Sequence, residues 1–361
     1  MALRELVRDC WEVDHEGSPW PLRTALRGAS WAYGLGHIAR LASYRACLFR
    51  EGRLPCHVIS VGNLTVGGTG KTPTVLALAL AIYQQGIRTA ILSRGYQGGS
   101  PSPVTVVSDG ETLRAHPPEA ADEAYLLARR LPGIPVLTGP NRLRVGQHAV
   151  AAFRSECLIL DDGFQHLRLA RDLNLILLDA DHPFGNGHLL PRGPLRESPR
   201  CLERADALLL TRARSASPPC LGFLRRRYPR LPVAVSRFEP DGVFQVEDDS
   251  PRPVAGHRVY LASGIARPED FKVLVRSLGV DVVGEIAFPD HHRYSVEEVR
   301  DVERRARAAS AEFLLTTEKD AVKIRPHLHD ADRWCALRIR LTLLAGQEHW
   351  RTWTERARAV R

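Results

Sequence analysis

A chain of 361 residues exceeds the ~250–300 at which a single hydrophobic core stops growing, so two domains are expected, and 44 % hydrophobic with 25 % charged residues excludes a disordered or fibrous class. No apolar run approaches the ~18 residues of a membrane-spanning helix, the longest being Val75 to Tyr83. Early charges (Arg4, Asp9, Glu12, Asp14, Glu16) interrupt any secretory signal, and the seven cysteines never stand as Cys-x-x-Cys, so reduced thiols facing the cytosol are expected. The net charge of +9 is carried by arginine; the only lysines are Lys71, Lys272, Lys319 and Lys323.

From Trp20 to Arg53 the pattern predicts a helix, or two broken near Gly34 and Gly36, with Leu22, Leu26, Ala29, Tyr33, Leu41, Tyr44 and Leu48 on one stripe. Arg23, Arg27, Arg40, Arg45, Arg50 and Arg53 stand opposite. Two readings fit: an interfacial helix on an anionic membrane, or a surface helix packed on the main domain.

A short apolar strand, His57 to Val61, leads into Gly62-Asn63-Leu64-Thr65-Val66-Gly67-Gly68-Thr69-Gly70-Lys71-Thr72. The spacing is that of a phosphate-binding loop, with Thr65 where the first glycine usually stands. Residues Thr65 to Thr72 are therefore the expected nucleotide cradle. Gly67 and Gly68 let the backbone N–H groups of Val66 to Gly70 turn toward phosphate oxygens, Lys71 neutralises the β/γ-phosphates, and Thr72 offers a hydroxyl to Mg²⁺. A helix from Pro73 to Gln85 and a strand Thr89 to Ser93 complete a βαβ unit and imply a parallel sheet. Ser93-Arg94-Gly95-Tyr96 then falls at the carboxyl edge of that sheet, where ligands of open α/β sheets bind.

A loop excursion with one strand at Val104 to Val107 precedes a helix starting near Pro118 that carries Asp122 and Glu123, carboxylates compatible with simple helix-start charges. A strand Val136 to Thr138 and a helix Arg142 to Phe153 continue the alternation. Cys157 to Leu160 runs into Asp161-Asp162-Gly163-Phe164-Gln165-His166, a buried strand ending in acids that would hold Mg²⁺ opposite Thr72. Strands at Leu173 to Asp179 and Ala207 to Leu210 flank a Gly- and Pro-rich segment, 184–199, that reads as a basic lid beside the phosphate site. A helix near Leu221 to Tyr228 and a strand at Val233 to Val235 close this part.

Pro240-Asp241-Gly242 and the polar run Glu247 to Pro253 mark the expected boundary, giving a P-loop domain over 54–238 with residues 1–53 as its basic helical segment, a linker over 239–254, and a smaller α/β domain over 255–361. The second part reads as strand Val259 to Ala262, a helix opening at Pro268, strand Asp281 to Phe288, helix Val296 to Ala309 and strand Glu312 to Thr316. Asp290-His291 is either a carboxylate tuning an imidazole or a plain surface pair. Lys319 either reaches a phosphate or pairs with Asp320.

These stretches together resemble the tetraacyldisaccharide 4′-kinase family of P-loop NTPases, on the residues Val61 to Pro73, Leu92 to Tyr96, Asp161 to His166, Gly193-Pro194-Leu195-Arg196-Glu197, Pro289 to His292 and Thr316 to Asp320, in the family's order. The resemblance implies transfer of the ATP γ-phosphate to the 4′-hydroxyl of a tetraacylated glucosamine disaccharide 1-phosphate, with ATP and Mg²⁺ as cofactors. It implies Asp122 as the base and His291 as its partner. Glu123, Asp161, Asp162, Gln165, His166 and Glu197 surround the Mg²⁺ and nucleotide, and Arg142 and Arg196 line the phosphate path. It also favours a peripheral contact of the N-terminal segment with the cytoplasmic face of the inner membrane. The competing class, a GTPase switch whose C-terminal domain binds a protein, usually carries an Asn/Thr-Lys-x-Asp motif that Thr317-Glu318-Lys319-Asp320 lacks. No aromatic-basic module supports nucleic-acid binding, and no obligate protein partner is inferred.

Overall fold

The structure of the protein, a computed structural model, describes Trp11 and residues 20–95 and 102–358. Tyr96 and most of residues 1–19 lie outside the described residues. Twelve strands form one sheet in the order β10-β9-β11-β12-β8-β7-β6-β1-β5-β2-β4-β3. Its first part comprises β1 (His57–Asn63), β2 (Thr89–Ser93), β3 (Thr105–Ser108), β4 (Val136–Thr138), β5 (Cys157–Asp161), β6 (Leu173–Asp179) and β7 (Ala207–Thr211). β8 (Val233–Gln245), β9 (Arg258–Ser263), β10 (Asp281–Ala287), β11 (Phe313–Thr317) and β12 (Trp334–Ala345) complete it. All pairings are parallel except β3 with β4 and β8 with β12.

Every residue of β1, β2, β5, β6 and β7 is buried, which is why these segments read as unbroken apolar runs: helices cover both faces of a parallel sheet. The helices are α1 (Trp20–Arg45), α2 (Lys71–Tyr83), α3 (Asp122–Arg130), α4 (Arg142–Phe153), α5 (Pro219–Arg227), α6 (Pro268–Arg276), α7 (Val296–Ala308), α8 (Glu318–Ile324) and α9 (Gln347–Glu355). From β1 the chain moves out through β2 and β4, returns in β5 to β1's side, then proceeds through β6, β7 and β8 on the other. β1 is thus the point where the order reverses, and the loop after it opens at the carboxyl ends of β5 and β6, where α/β sheets take ligands.

Three expectations change. The first half of the segment 239–254, expected as a linker, is strand: β8 runs unbroken through Pro240-Asp241-Gly242 because β12 pairs with it along nearly its whole length. β12, α8 and α9 were not expected, and α9 returns the chain to its start, placing Trp353 and Ala357 in the core with Ile59, Leu78 and Ile82. α1 is a single helix without a break at Gly34 or Gly36. Its buried positions are Leu26, Ser30 and Gly34, four apart, and a Cβ at Gly34 would stand 3.0 Å from Leu189. The large apolar side chains Trp20, Trp31, Leu35 and Ile38 instead face outward, 63 to 79 % exposed.

Because Trp353 fills the main core from a helix at the far end of the chain, Trp353→Ala is expected to cost about 3–5 kcal/mol of unfolding free energy. Urea denaturation monitored by circular dichroism measures this, and a cost below about 1 kcal/mol would show α9 to be peripheral to the core.

Candidate active site

The loop between β1 and α2 is held from several sides. Asn63, at the end of β1, donates through Nδ2 to Thr65 O and Thr69 Oγ1, both at 2.7 Å, and its Oδ1 accepts from Lys71 Nζ at 3.4 Å. Gly70 caps α2 in the left-handed region (φ 85°), and a Cβ there would meet the Phe238 ring at 2.1 Å, so only glycine closes this turn. With no side chain capping α2, its first N–H groups are left without a side-chain acceptor, as an anion site requires. Val66 N donates to Pro194 O (2.8 Å) and Arg196 N to Leu64 O (2.7 Å), so the basic segment 193–197 lies paired along the loop. On the opposite side Thr211 Oγ1 donates to Thr69 O at 2.9 Å.

Acids converge on this cradle. Asp161 ends β5 fully buried, accepting from Ser93 Oγ at 3.4 Å. Burial, with the nearby charges of Glu123 and Asp162, pushes its carboxyl up to about 7. Asp162, with a left-handed backbone (φ 55°), takes Arg196 Nη1 on both oxygens (2.7 and 2.9 Å) and stands 3.8 Å from Lys71 Nζ. Burial alone would raise Asp162, but Lys71 and Arg196 outweigh it and hold it below the usual carboxylate range. Lys71 itself is drawn down by burial, against the pull of Asp162.

Arg142, at the start of α4, is 4 % exposed with a buried Nε that lacks a hydrogen-bond partner; burial and the charge of Arg94 push it down to about 10. His166 likewise has a buried Nε2 without a partner and is pushed down to about 4 by burial and a ring of arginines led by Arg142, so its imidazole is neutral. Arg142 Nε is thus a buried donor short of an acceptor, and His166 Nε2 a buried ring nitrogen short of a partner whose role follows its tautomer.

Asp122 opens the first turn of α3, half-buried, and burial raises its carboxyl against the opposing charges of Lys323, His291 and Arg293 from the second part of the sheet. His291 is exposed on a left-handed turn (φ 62°), with its N–H donated to Gly264 O at 3.2 Å. α3 is gripped by α8: Glu123 pairs with Lys319, and Arg130 with Glu318 at 2.5 Å. Lys319 therefore pairs across the helices with Glu123 and not with its neighbour Asp320, since adjacent helical residues face different ways. Asp320 accepts from Gly264 N (3.0 Å) and Thr317 Oγ1 (2.7 Å) and pairs with Lys323 at 3.3 Å.

Two expected members have their side chains engaged by other partners. Gln165 uses its Nε2 to bind Asn63 O at 3.1 Å, bracing the end of β1. Glu197, 1 % exposed, turns away to Arg204 and to His37 of α1 (3.5 Å). The reason is extended-chain alternation: Leu195 and Glu197 face inward while Arg196 between them reaches Asp162. Asn63, Lys319 and Lys323 were not foreseen in these roles. For the two lysines a signal existed, since an arginine-using chain keeps lysine there.

The family model for tetraacyldisaccharide-1-P 4′-kinase matches residues 22–357 of this chain. A tetraacyldisaccharide 4′-kinase of Syntrophus aciditrophicus is 43 % identical over 346 residues, covering 90 % of this chain and 91 % of the relative. One from Anaeromyxobacter sp. strain Fw109-5 is 45 % identical, covering 87 % and 86 %. Among solved structures, the Aquifex aeolicus LpxK crystallised in complex with ATP superposes with a TM-score of 0.73 at 31 % identity, over 92 % of this chain and 99 % of that one.

Asp161 carries a pH signature. Its folded-state value near 7 lies above the ordinary 3.8, so between about pH 4 and 7 the folded chain keeps a proton that the unfolded chain releases, and stability falls as pH rises through that window. Asp161→Asn removes the deficit. In the metal-free protein the variant should melt at a higher temperature than wild type at pH 8, with the gap narrowing toward pH 4. A gap independent of pH in calorimetric scans would exclude this account.

Proposed function

The chain belongs to the tetraacyldisaccharide-1-P 4′-kinase family, and from that premise we propose that it transfers the γ-phosphoryl group of ATP to the 4′-hydroxyl of a tetraacyl disaccharide 1-phosphate. The observation that carries this reading is the geometry of the cradle: Lys71 stands 3.8 Å from Asp162, which Arg196 also holds, while the helix carrying Asp122 is pinned through Glu123 to Lys319 of α8.

Thr72, Asp161 and Asp162, with Glu123 nearby, are the residues that would hold Mg²⁺. The donor set fits a divalent cation in kind, since carboxylate and hydroxyl oxygens are the hard donors such an ion takes, and burial with the charges of Glu123 and Asp162 leaves Asp161 short of a counter-charge. When bound, Mg²⁺ supplies neutralisation of phosphate charge. The protein's own residues do the rest. Gly67, Gly68 and Gly70 with the α2 N-terminus cradle the phosphates, since the N–H groups of Val66 and Thr69 are taken by Pro194 O and Gly67 O, and Lys71 meets them in a desolvated setting where its charge acts more strongly than in water. Arg142 brings an unsatisfied N–H donor and His166 an unpartnered ring nitrogen, and Arg196 is poised on Asp162 beside the same loop. Asp122 accepts the hydroxyl proton as the new P–O bond forms, with His291 contributing from the second part of the sheet. Phosphoryl transfer depends on positioning and charge more than on covalent help, which suits this inventory.

An acceptor with four acyl chains is met at a bilayer. No helix among the described residues is long and apolar enough to cross a membrane. The outward Trp31, Leu35 and Ile38 of α1, one per turn, with Arg23, Arg27 and Arg40 on the same helix, suit a peripheral contact with an anionic surface, the cytoplasmic face of the inner membrane.

Incubation with γ-labelled ATP, Mg²⁺ and detergent-dispersed disaccharide 1-phosphate should place label on the lipid; label appearing only as free phosphate would sink the proposal. Asp122→Ala should lower kcat by about 10²–10⁴ while ATP affinity stays within about twofold; near-normal turnover would remove Asp122 from the base role. A Trp31→Asp, Leu35→Asp, Ile38→Asp variant should no longer float with anionic liposomes while binding ATP normally, and unchanged flotation would exclude α1 as the contact.

A further inference from the structure

Away from the phosphate cradle, α1 and the 184–199 segment enclose a groove of about 240 Å³ lined by Trp20, Arg23, Thr24, Leu26, Arg27 and Arg192. Sites that enclose a whole drug-sized ligand are usually ~300–1,000 Å³, so this one has the size for a charged group at the end of a larger molecule. Arg23 and Arg27 stand one turn apart on α1, and Arg192 faces them from the loop. Among the described residues no carboxylate lines the groove, and none of the three guanidinium groups has an ion-pair or side-chain hydrogen-bond partner. Three like charges gathered without an acid are repulsive until an anion joins them.

The groove is built firmly. Ser30 Oγ donates to Leu189 O and Tyr33 OH to Arg196 O, both at 2.9 Å, so the helix is tied to the loop on both sides of Arg192, and Trp11, ahead of the helix, donates Nε1 to Pro191 O at 3.0 Å. Its position is equally specific. Arg196 holds Asp162 in the site, and four residues of extended chain span at most ~13–14 Å, so the backbone of Arg192 is no farther than that from the backbone of Arg196. The exposed Trp20 borders the groove, at the edge of the apolar surface of α1, where the polar head of an amphiphile would rest.

Resting on the substrate reading above, we propose that Arg23, Arg27 and Arg192 bind the phosphomonoester at the end of the acceptor opposite the reacting hydroxyl, its 1-phosphate. Planar guanidinium groups pair bidentately with phosphate oxygens, so the trio fixes which end of the disaccharide points away from ATP. The same chemistry would take the headgroup phosphate of a bilayer phospholipid, and the experiment separates the two sources.

KM and kcat are measured in nonionic micelles for wild type, Arg192→Ala and Arg23→Ala/Arg27→Ala, with the disaccharide 1-phosphate and with the same lipid lacking that phosphate; flotation with anionic and zwitterionic vesicles runs in parallel. For the phosphorylated acceptor each variant should raise KM about tenfold or more, because every lost charge-assisted contact is of that order. With the dephosphorylated lipid, wild type and variants should have the same, already elevated, KM. Equal KM increases for both acceptors, or a loss confined to flotation on anionic vesicles, would overturn the proposal, the latter assigning the groove to phospholipid headgroups. A wild type that phosphorylates neither lipid would instead refute the function on which it rests.

Discussion

The site is governed by carboxylates gathered in a largely buried space at the carboxyl end of β5. Asp161 and Asp162 follow one another at the mouth of a fully buried strand, and Glu123 reaches the same space from α3. Burial destabilises each as an anion, and mutual repulsion adds to it. The cations that make the arrangement tolerable come from four places: Lys71 from α2, Arg196 from the loop laid along the cradle, Lys319 from α8 and Arg142 from α4. Asp162 has two of these close at hand and sits below the usual carboxylate range, whereas Asp161 has only weaker help and sits far above it. Adjacent residues of one type thus reach opposite protonation tendencies through their neighbours alone. Under the proposed function, a divalent cation would relieve the repulsion between Asp161 and the carboxylates beside it.

That constraint explains why one sheet runs through both parts of the molecule. Lys319 and Lys323 are carried by α8, which begins where β11 ends, and β11 is joined to β7 and β6 through β12 and β8. The long antiparallel pairing of β8 with β12 fixes α8 against α3, with Arg130, Arg338 and Glu318 sealing the contact. Asp122 and Glu123 therefore stand between two halves that each supply cations. Lysine at 71, 319 and 323 in an otherwise arginine-rich chain follows the same logic, since a compact ammonium fits beside a carboxylate in a confined space where a guanidinium fork demands planar room.

What was legible in the sequence was local. The strand before Gly62, the loop with its Gly-Lys-Thr, and apolar runs ending in Asp161 and Asp179 each depend on neighbours within a few residues, and the structure has them at nearly the expected places. The inversion of Glu197 was not legible, because it depends on Leu195 pairing with Thr65, a contact between segments 130 residues apart. The continuity of α1 through Gly34 depends on Leu189 closing over that glycine, another distant contact. β12 is different: Leu337, Ile339, Leu341 and Leu343 alternate with Arg338, Arg340 and Thr342, a period-two signal readable from the residues alone. The break expected at Pro240-Asp241-Gly242 failed for a physical reason, since an edge-compatible proline and a glycine bulge are tolerated once β12 supplies a continuous partner.

An amphiphilic acceptor poses a problem that a soluble one does not: its chains remain in the bilayer while its hydroxyl must be brought in line with a phosphate held above the surface. The segment from Leu189 to Glu197 addresses it by touching everything involved. Leu189 takes the hydroxyl of Ser30 and packs against Gly34, Leu195 and Arg196 lie on the cradle, and Glu197 reaches back through His37 to α1. A displacement of α1 would therefore be transmitted to Arg196 within one short loop, with no need for a long path through the core. Under the proposed function this makes surface contact and phosphate geometry parts of one rigid piece, so that an enzyme seated on the membrane has its phosphoryl donor aimed at a fixed height above it.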